Sequence, residues 1–171
     1  SLTLADIVGR AGVARSTFYE YFADKEDCFL EAFDYAADRV LERVLAVGPP
    51  PVGDFASPVH AYIARLLELA LEEPGLVRLV ATDAEALGPA AAERQRALRS
   101  RLADGLVTLR DFLGRDDPKL APITHIRALA IVGAITEVLQ HTYYATGTDA
   151  FPTLGPELAT IVLALLEAPA A

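Results

Sequence analysis

Apolar residues recur along this chain at intervals of three and four from end to end. No stretch alternates convincingly with period two, so the pattern predicts helices throughout and an all-α fold. Near the start, Leu4, Ile7 and Val8 mark one face of a short helix, with Thr3 at its N-cap and Asp6 three residues on, the spacing of a capping box. Gly12 suits the left-handed residue that closes such a helix. A second short helix, about two turns long, points Val13, Phe18 and Phe22 inward and leaves Arg15, Ser16, Thr17 and Tyr19 outward. Asp24 predicts the N-cap of a third, longer helix with Glu26 and Asp27 complementing its dipole, and Phe29, Phe33, Ala37, Val40, Leu41, Val44 and Leu45 carry its apolar face on to Val47. Two short helices joined by a glycine turn are how a helix-turn-helix meets a DNA major groove.

Gly48-Pro49-Pro50-Pro51 cannot continue a helix and marks the best boundary in the chain. It divides the helix-turn-helix with the long helix after it, 1–47, from a second helical domain, 48–171. Beyond it, Ser57-Pro58 predicts a helix start, and Val59, Tyr62, Ile63, Leu66, Leu67 and Ala70 form a stripe that ends at Pro74-Gly75. A short segment from Leu76 to Leu87 closes at Gly88-Pro89. The next helix, Ala90 to Leu113, faces Leu98, Leu102, Leu106, Leu109 and Leu113 inward, and Arg94, Arg96, Arg99 and Arg101 crowd its first half. The last two helices, 122–145 and 156–168, are apolar nearly all the way round over Ala128 to Ile135 and Leu158 to Leu166. Such helices need cover on a second face, and a second copy of the chain supplying a four-helix contact is the economical source.

The net charge of −9 excludes binding to nucleic acid through bulk electrostatics, so any DNA contact has to be local. Even within 1–47 the five basic residues, Arg10, Arg15, Lys25, Arg39 and Arg43, are outnumbered by nine acidic ones. The chain begins at Ser1 without a Met, and a preceding basic segment is expected. Cys28 is the lone cysteine, which rules out an internal disulfide framework and a cysteine-built zinc site within one chain. The longest uncharged apolar runs, 128–136 and 158–166, fall far short of the ~20 residues that span a bilayer, and no signal peptide is visible, so a cytoplasmic protein is expected. No Gly-x-Ser-x-Gly elbow, phosphate-binding glycine loop or Cys-His arrangement points to an enzyme, and no cofactor or metal is expected.

In register, Thr3, Ile7-Val8, Ala11-Gly12-Val13, Ser16-Thr17-Phe18-Tyr19, Tyr21-Phe22 and Lys25-Glu26 closely resemble the helix-turn-helix signature of the TetR family of transcriptional regulators. The resemblance covers residues 2–30. The remainder is similar only in architecture, with Gly133 to Glu137 looking like the family's penultimate dimer helix. It implies that 14–20 is the recognition helix and 25–47 the connecting helix. The family's first helix has no counterpart here, which implies that Phe18, Phe22 and Phe29 lack part of their cover, and Ala14 stands where the family commonly has a capping Ser.

On this reading Arg15 pairs with a guanine edge or a phosphate, and Ser16 and Thr17 read base edges or backbone. Tyr19, Tyr21 and Lys25 match family positions that grip phosphates, and Thr3 bonds one from the other side of the groove. A dimer built on 122–145 and 156–168 would set two such helices about 34 Å apart on a near-palindromic operator. A small, mostly hydrophobic effector would bind between 57–72, 90–113 and 122–145, with His60, Tyr62, Leu102, Glu137, Gln140, His141 and Tyr144 as candidates to meet it; only two or three of the polar ones are expected to line the pocket, the others lying at the surface or an interface. Glu137 and His141 share a helical face, but an ion pair or dimer contact outweighs a metal there; His125 is read as isolated, and the Arg94–Arg101 cluster as a solvated face paired with Glu93 and Asp104. The rival reading is a dimeric helical sensor or interaction protein without competent DNA binding.

Overall fold

The computed structural model describes residues 3–45, 56–81, 88–114 and 122–167, apart from the side chains at 77, 78, 81, 113 and 114. The Pro-rich boundary, residues 46–47 of the connecting helix, the second half of the Leu76–Leu87 segment and the Leu113 side chain therefore lie outside the described residues. Among those described there are eight helices and no strand: α1 (Leu4–Ala11), α2 (Arg15–Tyr21), α3 (Lys25–Leu45), α4 (Ala56–Glu72), α5 (Pro74–Ala81), α6 (Pro89–Gly114), α7 (His125–Thr146) and α8 (Phe151–Glu167). The fold is all-α. None of these helices is long and apolar enough to cross a membrane.

Among the helix boundaries that differ from the sequence pattern, two have clear local reasons. Ser57 lies inside the first turn of α4 instead of capping it. Helix α8 begins five residues before Pro156, because Phe151 is sunk in the core and Pro152 sits in the first turn, where no amide hydrogen is required. Pro156 then removes one hydrogen bond from the helix without ending it.

Helix α6 packs along α7 and α4 along α8, while α7 also meets α8, so the body consists of two helix pairs joined edge to edge. Helix α3 lies across α4, α5 and α6. The main core runs through Val40 of α3, Ile63, Leu67 and Leu69 of α4, Ile131 of α7 and Leu158 of α8. A second cluster gathers Phe33, Ala37 and Leu41 of α3 around Leu98 of α6. Each fully buried Leu, Ile or Phe contributes about 1.5–3 kcal/mol, so α3 is anchored chiefly by its apolar face. Four ion pairs set its rotation: Arg39–Glu73 (3.4 Å) and Arg43–Glu72 (2.7 Å) at the end of α4, and Asp34–Arg94 (2.9 Å) and Asp38–Arg101 (3.1 Å) on α6. All are partly exposed, and each is worth about 0–1 kcal/mol.

Candidate nucleic-acid interface and an apolar cavity

Helix α1 is started by its own side chains. The Asp6 amide donates to Thr3 Oγ1 (3.3 Å), while the Thr3 amide and hydroxyl donate to Asp6 Oδ2 at 2.8 and 2.6 Å, completing a capping box. The hydroxyl and backbone hydrogen bonds from Thr3 hold the Asp6 carboxyl below its ordinary value. The Thr3 hydroxyl proton is thus engaged by Asp6, although Thr3 itself is exposed. Gly12 ends α1 at φ 67°, ψ 26°, in the left-handed region that disfavours any side chain. The corner it makes turns the chain into α2, which packs against α1.

Helix α2 starts at Ala14 with no side chain to cap it. Its inward anchor is Phe18, 4% exposed, whose ring meets Phe22 at 5.2 Å and Tyr19 edge-on at 5.5 Å between centroids. Val13, expected inside, is largely exposed, because the Gly12 corner swings it out before α2 begins. On the open face the Arg15 guanidinium lies 5.7 Å from the Tyr19 ring centroid, and its Nη2 donates to the Tyr19 hydroxyl at 3.4 Å. Ser16 and Lys25 are exposed, Tyr21 is 76% exposed, and Thr17 is half-buried. Arg15, Ser16, Tyr19, Tyr21 and Lys25 therefore all lie at the surface of one small unit. The step into α3 is fixed by Asp24, whose Oδ1 accepts from the amides of Glu26 (2.8 Å) and Asp27 (2.9 Å), and by Asp27, whose Oδ2 accepts from the Ala23 amide (2.9 Å).

A second feature lies in the body. Helices α3, α4, α6, α7 and α8, with Val80 of α5, enclose an apolar cavity of about 150 Å³. Val40, Val44 and Leu45 of α3 form one wall, facing Leu98, Leu102 and Leu106 of α6 and Ile131 and Ile135 of α7. Leu45 crosses α6 at Gly105, where an added Cβ would sit 2.9 Å from Leu45 Cδ2, so glycine permits the close approach. Polar lining is sparse: Tyr62, Gln95, Arg99, Arg110 and Thr136. Burial raises the Tyr62 phenol above its ordinary value. Gln95 Nε2 donates to the Val80 carbonyl (3.2 Å), Thr136 Oγ1 to the Val132 carbonyl (2.8 Å) and Arg110 Nη2 to the Leu166 carbonyl near the end of α8 (3.4 Å).

Of the seven effector candidates, Tyr62 and Leu102 line this cavity. His60 is exposed at the outer side of α4, its Nδ1 2.8 Å from the Ala56 carbonyl oxygen. Glu137, Gln140, His141 and Tyr144 are not among the lining residues; Glu137 and His141 are exposed, and Tyr144 is 66% exposed. They follow the outer surface of α7 because Leu139 and the Ile131-Val132 step claim its inner surface. Gln95, Arg99, Arg110 and Thr136 escape the sequence reading, since nothing in the spacing of α6 separates one arginine from the next. His125 is not isolated: its Nδ1 stands 3.0 Å from Asp104 Oδ1, so Asp104 pairs there and not with the arginine cluster. Among the described residues no group of His, Cys, Asp and Glu could hold a metal ion.

Residues 1–32 match the model of the family described as bacterial regulatory proteins, tetR family. The match spans the capping box, the Gly12 corner, α2 and the start of α3. No curated protein and no solved structure matches the chain.

Proposed function

We propose that this chain, a DNA-binding transcriptional regulator of the tetR family by its N-terminal segment, is a cytoplasmic repressor that binds a near-palindromic operator as a dimer and is released by a small, mostly hydrophobic effector. The observation that carries the effector half is the wall that α3 gives the cavity. Val40, Val44 and Leu45 belong to the helix that directly follows the reading helix, so a molecule filling the cavity presses on the element that carries α2. A ligand that prefers one setting of α3 shifts the separation of two reading heads and hence operator affinity.

The dimer is supported by the outer surfaces of α7 and α8, where Ile126 is 78% exposed and Tyr144, Ile161 and Leu165 also stand open. Small residues at Ala130 and Gly133 on α7 allow a second helix close approach. On DNA, Arg15, Ser16 and Thr17 read while Tyr19, Tyr21 and Lys25 grip the backbone, with Thr3 alongside. Anisotropy titration of the DNA upstream of the chain's own gene tests this reading. Affinity that falls with salt, and falls again in Arg15→Ala and Lys25→Ala, is expected. A dimer in solution that ignores this DNA at every salt concentration would favour the helical sensor without DNA binding.

A further inference from the structure

Four arginines crowd the first half of α6, and three have a carboxylate partner: Arg94 with Asp34 (2.9 Å), Arg96 with Glu93 (2.6 Å) and Arg101 with Asp38 (3.1 Å). Arg99 is the exception. It lines the cavity, its Nε is buried without a hydrogen-bond partner, and it has no ion pair among the described residues. A guanidinium drawn toward an apolar interior without a counter-charge is costly, and the cost is relieved by an anion that brings its own acceptors. Arg110, the other cavity arginine, is 4% exposed and engaged with the carbonyl of Leu166 in α8. It lies eleven residues farther along α6, on the same face and about 16 Å away by helical rise, so the two cannot grip one small group together.

The geometry points to a small hydrophobic monocarboxylate as the effector, its carboxylate held by Arg99 and its body packed among Val40, Leu98, Leu102 and Leu106. The inference rests on the reading of the cavity as the effector site. One unpaired guanidinium matches one planar carboxylate, which accepts the two parallel N–H bonds that a guanidinium fork offers. The cavity volume of about 150 Å³ equals that of a cavity known to enclose benzene, which suits a ligand whose apolar body is about the size of a benzene ring. Tyr62 also lines the cavity and is a polar neighbour for a group larger than the carboxylate itself.

The test uses benzoate and hexanoate as probes, with benzamide and hexanamide as uncharged partners of the same shape, each titrated calorimetrically into the native chain. At least one acid is expected to bind about tenfold or more tightly than its amide. Arg99→Met should weaken that acid about 10- to 100-fold and leave the amide unchanged or tighter, while Arg96→Gln, an exposed arginine outside the cavity, leaves both unchanged. If Arg99→Met does not fold, as judged by its helical circular dichroism, Arg99→Lys and the native acid-against-amide comparison decide. Amides binding as well as acids would overturn the carboxylate inference while leaving the cavity as a hydrophobic effector site. Acid selectivity that survives Arg99→Met would overturn the role of Arg99. Binding of none of the four at millimolar concentration would overturn the inference and the effector reading together.

Discussion

The reading head and the body hold themselves together in different ways. Within α1 and α2 Phe18 alone is buried, whereas α3, α4, α7 and α8 each bury between four and six residues. The head therefore depends on local devices: the Thr3–Asp6 box, the left-handed Gly12 and one aromatic anchor. The body depends on interlocked side chains contributed by distant segments. Local devices are worth about 0.5–2 kcal/mol each, so the head should open at lower cost than the body.

That contrast breaks most visibly under paired core deletions. Phe33→Ala should cost about 3–5 kcal/mol and lower the thermal midpoint of the whole chain by roughly 10 °C or more, measured by calorimetry. Phe18→Ala removes a ring of the same size, yet the body's transition should stay in place while amide exchange in α1 and α2 accelerates and operator binding disappears. If both variants shift the body's transition equally, head and body are one cooperative unit.

A smaller effect probes the joint between them. Gly105→Leu drives a branched side chain into Leu45, whose Cδ2 already stands 2.9 Å from where a Cβ at 105 would sit, an overpacking that costs about 1–3 kcal/mol and pushes the end of α3 off α6. Operator affinity should fall without any effector, and Leu45→Ala in the same chain should restore it. Failure of the second change to compensate would place the coupling elsewhere than this contact.

Ala14→Ser supplies the hydroxyl that α2 lacks and should stabilise that helix by about 1 kcal/mol, read as slower amide exchange confined to α2. The smallest effect is acid fraying of α1. The Asp6 carboxyl is held below its ordinary value of 3.8, so the hydrogen bonds from Thr3 stabilise the folded head above that pH and the contribution is lost as pH falls through the lowered value. Amides of α1 should lose protection in that window before those of α2, and Asp6→Asn should abolish the difference.

The same contrast decides what could be read before the fold was known. Thr3, Asp6, Gly12 and Asp24 act on backbone within four residues of themselves, so their roles follow from spacing alone, and the family match over 1–32 falls on that stretch. Val13 departs from its periodic face because one corner residue, and no periodicity, sets its direction. In the body, period told which residues share a face but not which face is inside. Helix α7 is apolar nearly all round over Ala128 to Ile135, so spacing does not tell which few of the polar candidates on it face the interior.

Sequence by itself determined the all-helical content, the helix-turn-helix corner and the exposed set around Arg15, because these depend on short-range sterics and hydrogen bonds. Tertiary structure decided the cavity, the wall that α3 lends it, the Leu45–Gly105 contact and the separation of Arg99 from Arg94, Arg96 and Arg101. A rotation of α6 by one residue, 100° about its axis, would turn Arg99 off the cavity. Only the packing of helices distant in sequence fixes that angle.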